Sequence, residues 1–223
     1  MGREDWYRNT SWNAEIEAAF REKLARSRSS RPQYLCIQAS CLARSHPKDA
    51  LRLIDEYFAT GDTFDVPNAW CARAEANIAL GSIREAIAAF KEALSWEAEH
   101  PGHISTARLD LPMMVAEYRL ATEYDYAVEI LSSRFQPNDH QFPATRYWWN
   151  GSYALIASER GEVADARVFA ERALRAAAQT ESPFRYHRGL GLVSDTSDDF
   201  GRRLKRLIRP SAFRSLFRLI SPA

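Results

Sequence analysis

Apolar residues along the 223-residue chain recur at helical spacing, and the period-two alternation of strands is nearly absent. Trp12, Ile16, Phe20 and Leu24 fall at steps of four, which predicts an amphipathic helix over 12–26. A longer pattern then repeats: an apolar helix, a tight turn near a small residue, and a second helix carrying Ala with a bulky apolar residue one turn later. It occupies 34–57, 70–94, 111–134 and 149–174, with Ala50, Ala86, Ala127 and Ala166 as markers 36, 41 and 39 residues apart. Pro32 and Pro47 sit where a first helical turn accepts proline, and Pro112 alone falls mid-helix. Residues 178–194 read as a loop, after which Thr196-x-x-Asp199 forms a capping box opening a helix to about Ile208. The pattern predicts an all-α chain. It has an N-terminal segment and capping helix in 1–30, helical repeats in 31–180, a loop and C-terminal helix in 181–208, and a tail in 209–223.

The clearest unit runs from Trp70 to Leu94 and resembles the tetratricopeptide repeat at Trp70, the turn Gly81, and Ala86-x-x-x-Phe90-x-x-Ala93. Each match has a mechanical reason: Ala74 and Ala86 let two helices approach closely, Trp70 and Phe90 fill space between hairpins, and Gly81 accepts a backbone conformation that a Cβ would penalise. Arg73-Ala74 stand where that family has Leu-Gly, Asn77 where it has Tyr, and its closing Pro comes late, at Pro101. Marker spacings above the family's 34 place extra residues in the connections, chiefly 97–108 and 135–145. The resemblance implies a right-handed α-solenoid of about four hairpins with terminal capping helices, and a bacterial source is expected with it.

Within that resemblance the first helix of each hairpin lines a groove, to which the second unit gives Asn68, Cys71, Ala72, Glu75 and Ala79. The third gives Leu109, Pro112, Met113, Ala116 and Leu120, and the fourth Trp148, Gly151, Ser152, Leu155 and Glu159. The expected partner-binding positions are Asn68, Glu75, Met113, Arg119, Trp148, Ser152, Leu155 and Glu159. This small, apolar lining suits a hydrophobic or amphipathic segment. Cys71 and Glu75 occupy two places where chaperone-tail clamps of the family carry Lys, Arg or Asn, which argues against that ligand. The groove could equally be filled by the chain's own terminal helix.

Charge sharpens one end of this picture. Of 30 basic side chains seven lie in 201–223, which holds no acid, so a basic tail follows an acidic body. Phe213, Leu216, Phe217 and Ile220 form one apolar stripe, with Arg214 and Arg218 on another face. Phe213 and Phe217 are expected anchors onto the chain's own body or a protein, ahead of an anionic membrane. An acidic body with a basic tail does not resemble a nucleic-acid binder, whose basic residues spread over a folded face.

Chemistry is sparse. Cys36, Cys41 and Cys71 lack a CxxC pair and fall within apolar helical patterns, so reduced core thiols are expected. His100 and His103 are separated by Pro-Gly without a third ligand, Gly189-Leu-Gly191 lacks the rest of a dinucleotide fingerprint, and Asp195, Asp198 and Asp199 suit helix capping. No catalytic, cofactor or metal residue is assigned. No apolar run reaches membrane-spanning length and the N-terminal residues are charged, so a cytoplasmic protein is expected. The expected function is a protein-interaction module or scaffold binding a peptide or partner protein. An antitoxin or immunity protein masking an effector is the alternative, ahead of an enzyme with a site assembled by the fold.

Overall fold

The computed structural model describes residues 5–133 and 142–209. Among these residues the chain forms ten α-helices, two 3-10 turns and no strand, in agreement with the all-α expectation. It divides into two compact units, Met1–Ala107 and Arg108–Ala223. The first holds α1 (Ala14–Ala25), α2 (Arg31–Leu42), α3 (Pro47–Ala59), α4 (Val66–Ala79) and α5 (Ile83–Glu99). At the boundary begins α6 (Ala107–Tyr118), followed by α7 (Tyr124–Ser133), α8 (Pro143–Glu159), α9 (Val163–Ala177) and α10 (Asp199–Ile208). No described helix is long and apolar enough to cross a membrane.

In the first unit α2 pairs with α3 and α4 with α5, and α4 also packs on both α2 and α3. Methyl-sized side chains make this approach possible: Ala39, Ala50, Ala74 and Ala86 are fully buried, with Leu42, Leu53, Ile54 and Tyr57 filling the interior. The N-terminal segment is part of this core. Trp6 and Tyr7 lie 4.8 and 4.5 Å from the Tyr34 ring, and Trp6 and Trp12 each lie 5.6 Å from Phe20. Gln38, fully buried on α2, pins the segment by accepting from the backbone N–H of Asn9 (3.0 Å) and donating to the Asn9 carbonyl (2.8 Å).

In the second unit α8 and α9 form the longest hairpin, α7 contacts α8, and α10 packs on both α9 and α8. Three helix ends share one hydrogen-bond closure, in which an N–H reaches back five residues: Ser82 to Asn77 (2.9 Å), Glu162 to Ala157 (2.9 Å) and Leu120 to Val115 (3.0 Å). The residue before each of those N–H groups is left-handed: Gly81 (φ 75°), Gly161 (φ 80°) and, in place of a glycine, Arg119 (φ 53°).

Several boundaries differ from the sequence reading. The connection expected over 97–108 shrinks, because α5 continues to Glu99 and α6 starts at Ala107. Thr145, expected in a connection, lies in the first turn of α8, with Pro143 at the helix start. The cap of α10 is Asp198 rather than Thr196: its carboxylate accepts from the Gly201 N–H at 2.7 Å.

Candidate functional site

Two helices of the first unit, α2 and α4, form an open groove of about 380 Å³. Cys36, Ile37, Ser40 and Cys41 come from α2, Asn68, Cys71, Ala72 and Glu75 from α4, and Asp65 and Thr106 complete the lining. Helical spacing on α4 brings Asn68, Cys71, Ala72 and Glu75 onto one face. Asn68 is exposed and donates weakly to Asp65 Oδ1 (3.4 Å), while Glu75 accepts from Arg44 Nε at 3.1 Å. The floor is apolar: Cys36, Cys71 and Ala72 are buried. Burial pushes the Cys36 thiol up to about 12, with the nearby Asp65 acting in the same direction, and burial raises Cys41 too. All three cysteines are free thiols, and the raised Cys36 is poorly suited to nucleophilic chemistry.

On α8 the corresponding face is covered from within the chain. The Phe200 ring of α10 lies 4.9 Å from Trp148 and 5.8 Å from Tyr147. Gly151 makes room for it, since a Cβ there would stand 2.5 Å from Phe200 Cε1. Ser152 is fully buried and donates to the Trp148 carbonyl at 2.7 Å, and Leu155 is buried as well. The covering helix is 199–208, upstream of the tail in which the sequence pattern places the anchors. Phe213 and Phe217, with Arg214 and Arg218, lie outside the described residues.

Beside this contact Arg119, Leu155 and Glu159 come together around a cleft of about 170 Å³ that also holds Arg203 and Arg206. Glu159 Oε1 lies 3.3 Å from both Arg119 and Arg203. Arg203 is buried and donates to the Ala116 carbonyl at 2.9 Å, which ties α10 to the end of α6. Burial lowers the Arg203 guanidinium from its ordinary value, and Arg119 adds to that effect. The arrangement is a structural knot whose charges serve one another. Met113 is half-buried on α6 and takes part in neither cluster.

A larger cavity, of about 580 Å³, lies among α7, α8 and α9, and none of the expected positions lines it. Its signal is divided between helices: Trp149 and Tyr153 on α8 share one face, as do Phe169 and Arg172 on α9, but only pairing of the hairpin brings the faces together. Elsewhere His100 stacks on Trp96 at 4.1 Å and His103 Nδ1 is 3.0 Å from the Phe64 carbonyl. Among the described residues no group of three or more His, Cys, Asp or Glu could hold a metal ion. Compared with known families, curated proteins and solved structures, the chain matches none.

Proposed function

We propose that this chain is a tetratricopeptide-like helical-repeat module that binds a partner protein, with the α2–α4 groove as its docking site. The observation that carries the reading is the groove itself, which is lined by the first helices of two successive hairpins and includes Asn68 and Glu75. An apolar floor bounded by polar groups is suited to a helix or extended segment: the floor takes apolar side chains and the edge sets orientation. The docking of α10 on α8 supplies an internal precedent, since Phe200 and Leu204 are buried while Arg202 stays exposed. A partner helix with the same division of faces fits the open groove.

The test places a photo-crosslinking amino acid at Asn68 in the native cell and combines it with Glu75→Arg. Position 68 is exposed and Glu75 only half-buried, so both changes should leave the fold intact. A discrete crosslinked protein that also co-purifies with the unmodified chain is expected, with recovery falling about tenfold in Glu75→Arg. The reading fails if crosslinking at position 68 matches that at the outward Arg84 and Glu75→Arg recovers the partner at the unmodified level.

A further inference from the structure

We propose that the cavity among α7, α8 and α9 binds an acidic peptide segment in which side-chain carboxylates flank an apolar residue. Its lining combines Arg146, Arg172 and Arg175 with Trp149, Tyr153 and Phe169, and among the described residues no carboxylate lines it. Arg172 and Arg175 have no ion-pair partner among the described residues, whereas Arg167 on the same helix is paired with Glu171 at 3.0 Å. Two guanidiniums at i and i+3 therefore stand over the cavity with no described residue matching their charge. Arg146 donates to the Gln179 side-chain oxygen, which braces the start of α8 against the segment following α9 and holds the basic end in place.

The aromatic lining limits the choice of anion. Tyr153 lies 4.2 Å from Phe169, Trp149 lies 5.9 Å from Phe169, and the Arg172 guanidinium sits 5.2 Å from the Phe169 centroid. These rings pack on one another, and Arg172 already lies over one of them, so no parallel-walled slot remains for a planar base. An aliphatic or aromatic side chain can lie against their edges while carboxylates on either side meet the guanidiniums. A volume of about 580 Å³ has room for a few such side chains.

The probe is an octapeptide labelled with an uncharged BODIPY dye, Glu-Phe-Glu-Glu-Leu-Glu-Phe-Glu, with blocked termini so that every carboxylate belongs to a side chain. It is titrated with the full chain and followed by anisotropy. Saturable binding is expected, at least about tenfold tighter than that of the same peptide with Lys at each Glu, and weakened about tenfold by Arg172→Glu/Arg175→Glu. Arg172→Gln/Arg175→Gln should weaken it in the same direction without adding repulsion, and circular dichroism verifies that each variant remains helical. Asn68→Arg, in the α2–α4 groove, should leave the affinity unchanged, so this inference and the groove reading can fail separately. Absent saturation, equal affinity for the lysine peptide, or indifference to both arginine variants would overturn the proposal. So would ATP displacing the peptide at lower concentration than unlabelled peptide does, which would make this a nucleotide pocket.

Discussion

Arg119 occupies a backbone conformation that Gly81 and Gly161 adopt in two otherwise matching helix ends. A Cβ in the left-handed region crowds the following carbonyl, and glycine escapes that penalty. Nothing lies within 4 Å of a Cβ built at Gly81, so backbone strain alone governs substitution there. Gly81→Ala should therefore cost about 1 kcal/mol in urea unfolding. Arg119→Gly should leave stability unchanged or raise it by up to about 1 kcal/mol, because relief of strain outweighs a half-exposed pair with Glu159. A clear loss for Arg119→Gly would show that its charge contributes more than the backbone conformation costs.

At the scale of elements, docking of α10 depends on glycines that a helix would otherwise disfavour. The ring of Phe200 occupies the space a side chain at Gly151 would need. A Cβ at Gly201 would meet the Thr196 carbonyl oxygen at 2.3 Å, a backbone atom that no rotamer change can move away. Gly151→Ala should destabilise the chain by about 1–3 kcal/mol through overpacking. Amide exchange across 199–208 should accelerate more than across α4, since the added methyl pushes directly against Phe200 and Leu204 of α10. Uniform acceleration in both helices, or none, would contradict this account. Gly151 and Gly201 are visible in the sequence as helix-weakening residues, but their purpose is not: one makes room for a ring from another helix and the other for a backbone carbonyl just before α10.

For the molecule as a whole, acid stability should reflect the charge network joining α1 to α3. Glu17 accepts from Arg52 at 2.6 and 2.9 Å and from Arg21 at 3.3 Å, and Arg52 also donates to Asp49 at 2.8 Å. The Arg52 hydrogen bonds, opposed by partial desolvation and aided by Arg21, hold the Glu17 carboxyl at about 2, against an ordinary value of 4.5. A lowered folded-state value stabilises the protein above 4.5, and that contribution is lost as pH falls from 4.5 toward 2. After allowance for solvent screening, Glu17→Gln should cost about 1 kcal/mol at pH 7 and flatten the fall of Tm in that acid window. An unchanged Tm profile would mean that the exposed network contributes nothing measurable.

Helicity, the hairpin turns at Gly81 and Gly161, and the alanines at close helix contacts are all legible from the order of residues alone. These properties are local: helical spacing, a left-handed glycine and a methyl-sized side chain act within a few residues of themselves. Asn68 and Glu75 are legible for the same reason, because two turns of one helix place both on the face that lines the groove. Which face is covered, and which cavity is charged, emerges only from the folded chain. Arg203 reaches a carbonyl 87 residues earlier, and Phe200 meets Trp148 across an intervening hairpin and loop. The arginines and rings of the α7–α9 cavity likewise belong to separate helices. No single-helix pattern encodes such pairings, because the free energy that selects them comes from burying both partners at once.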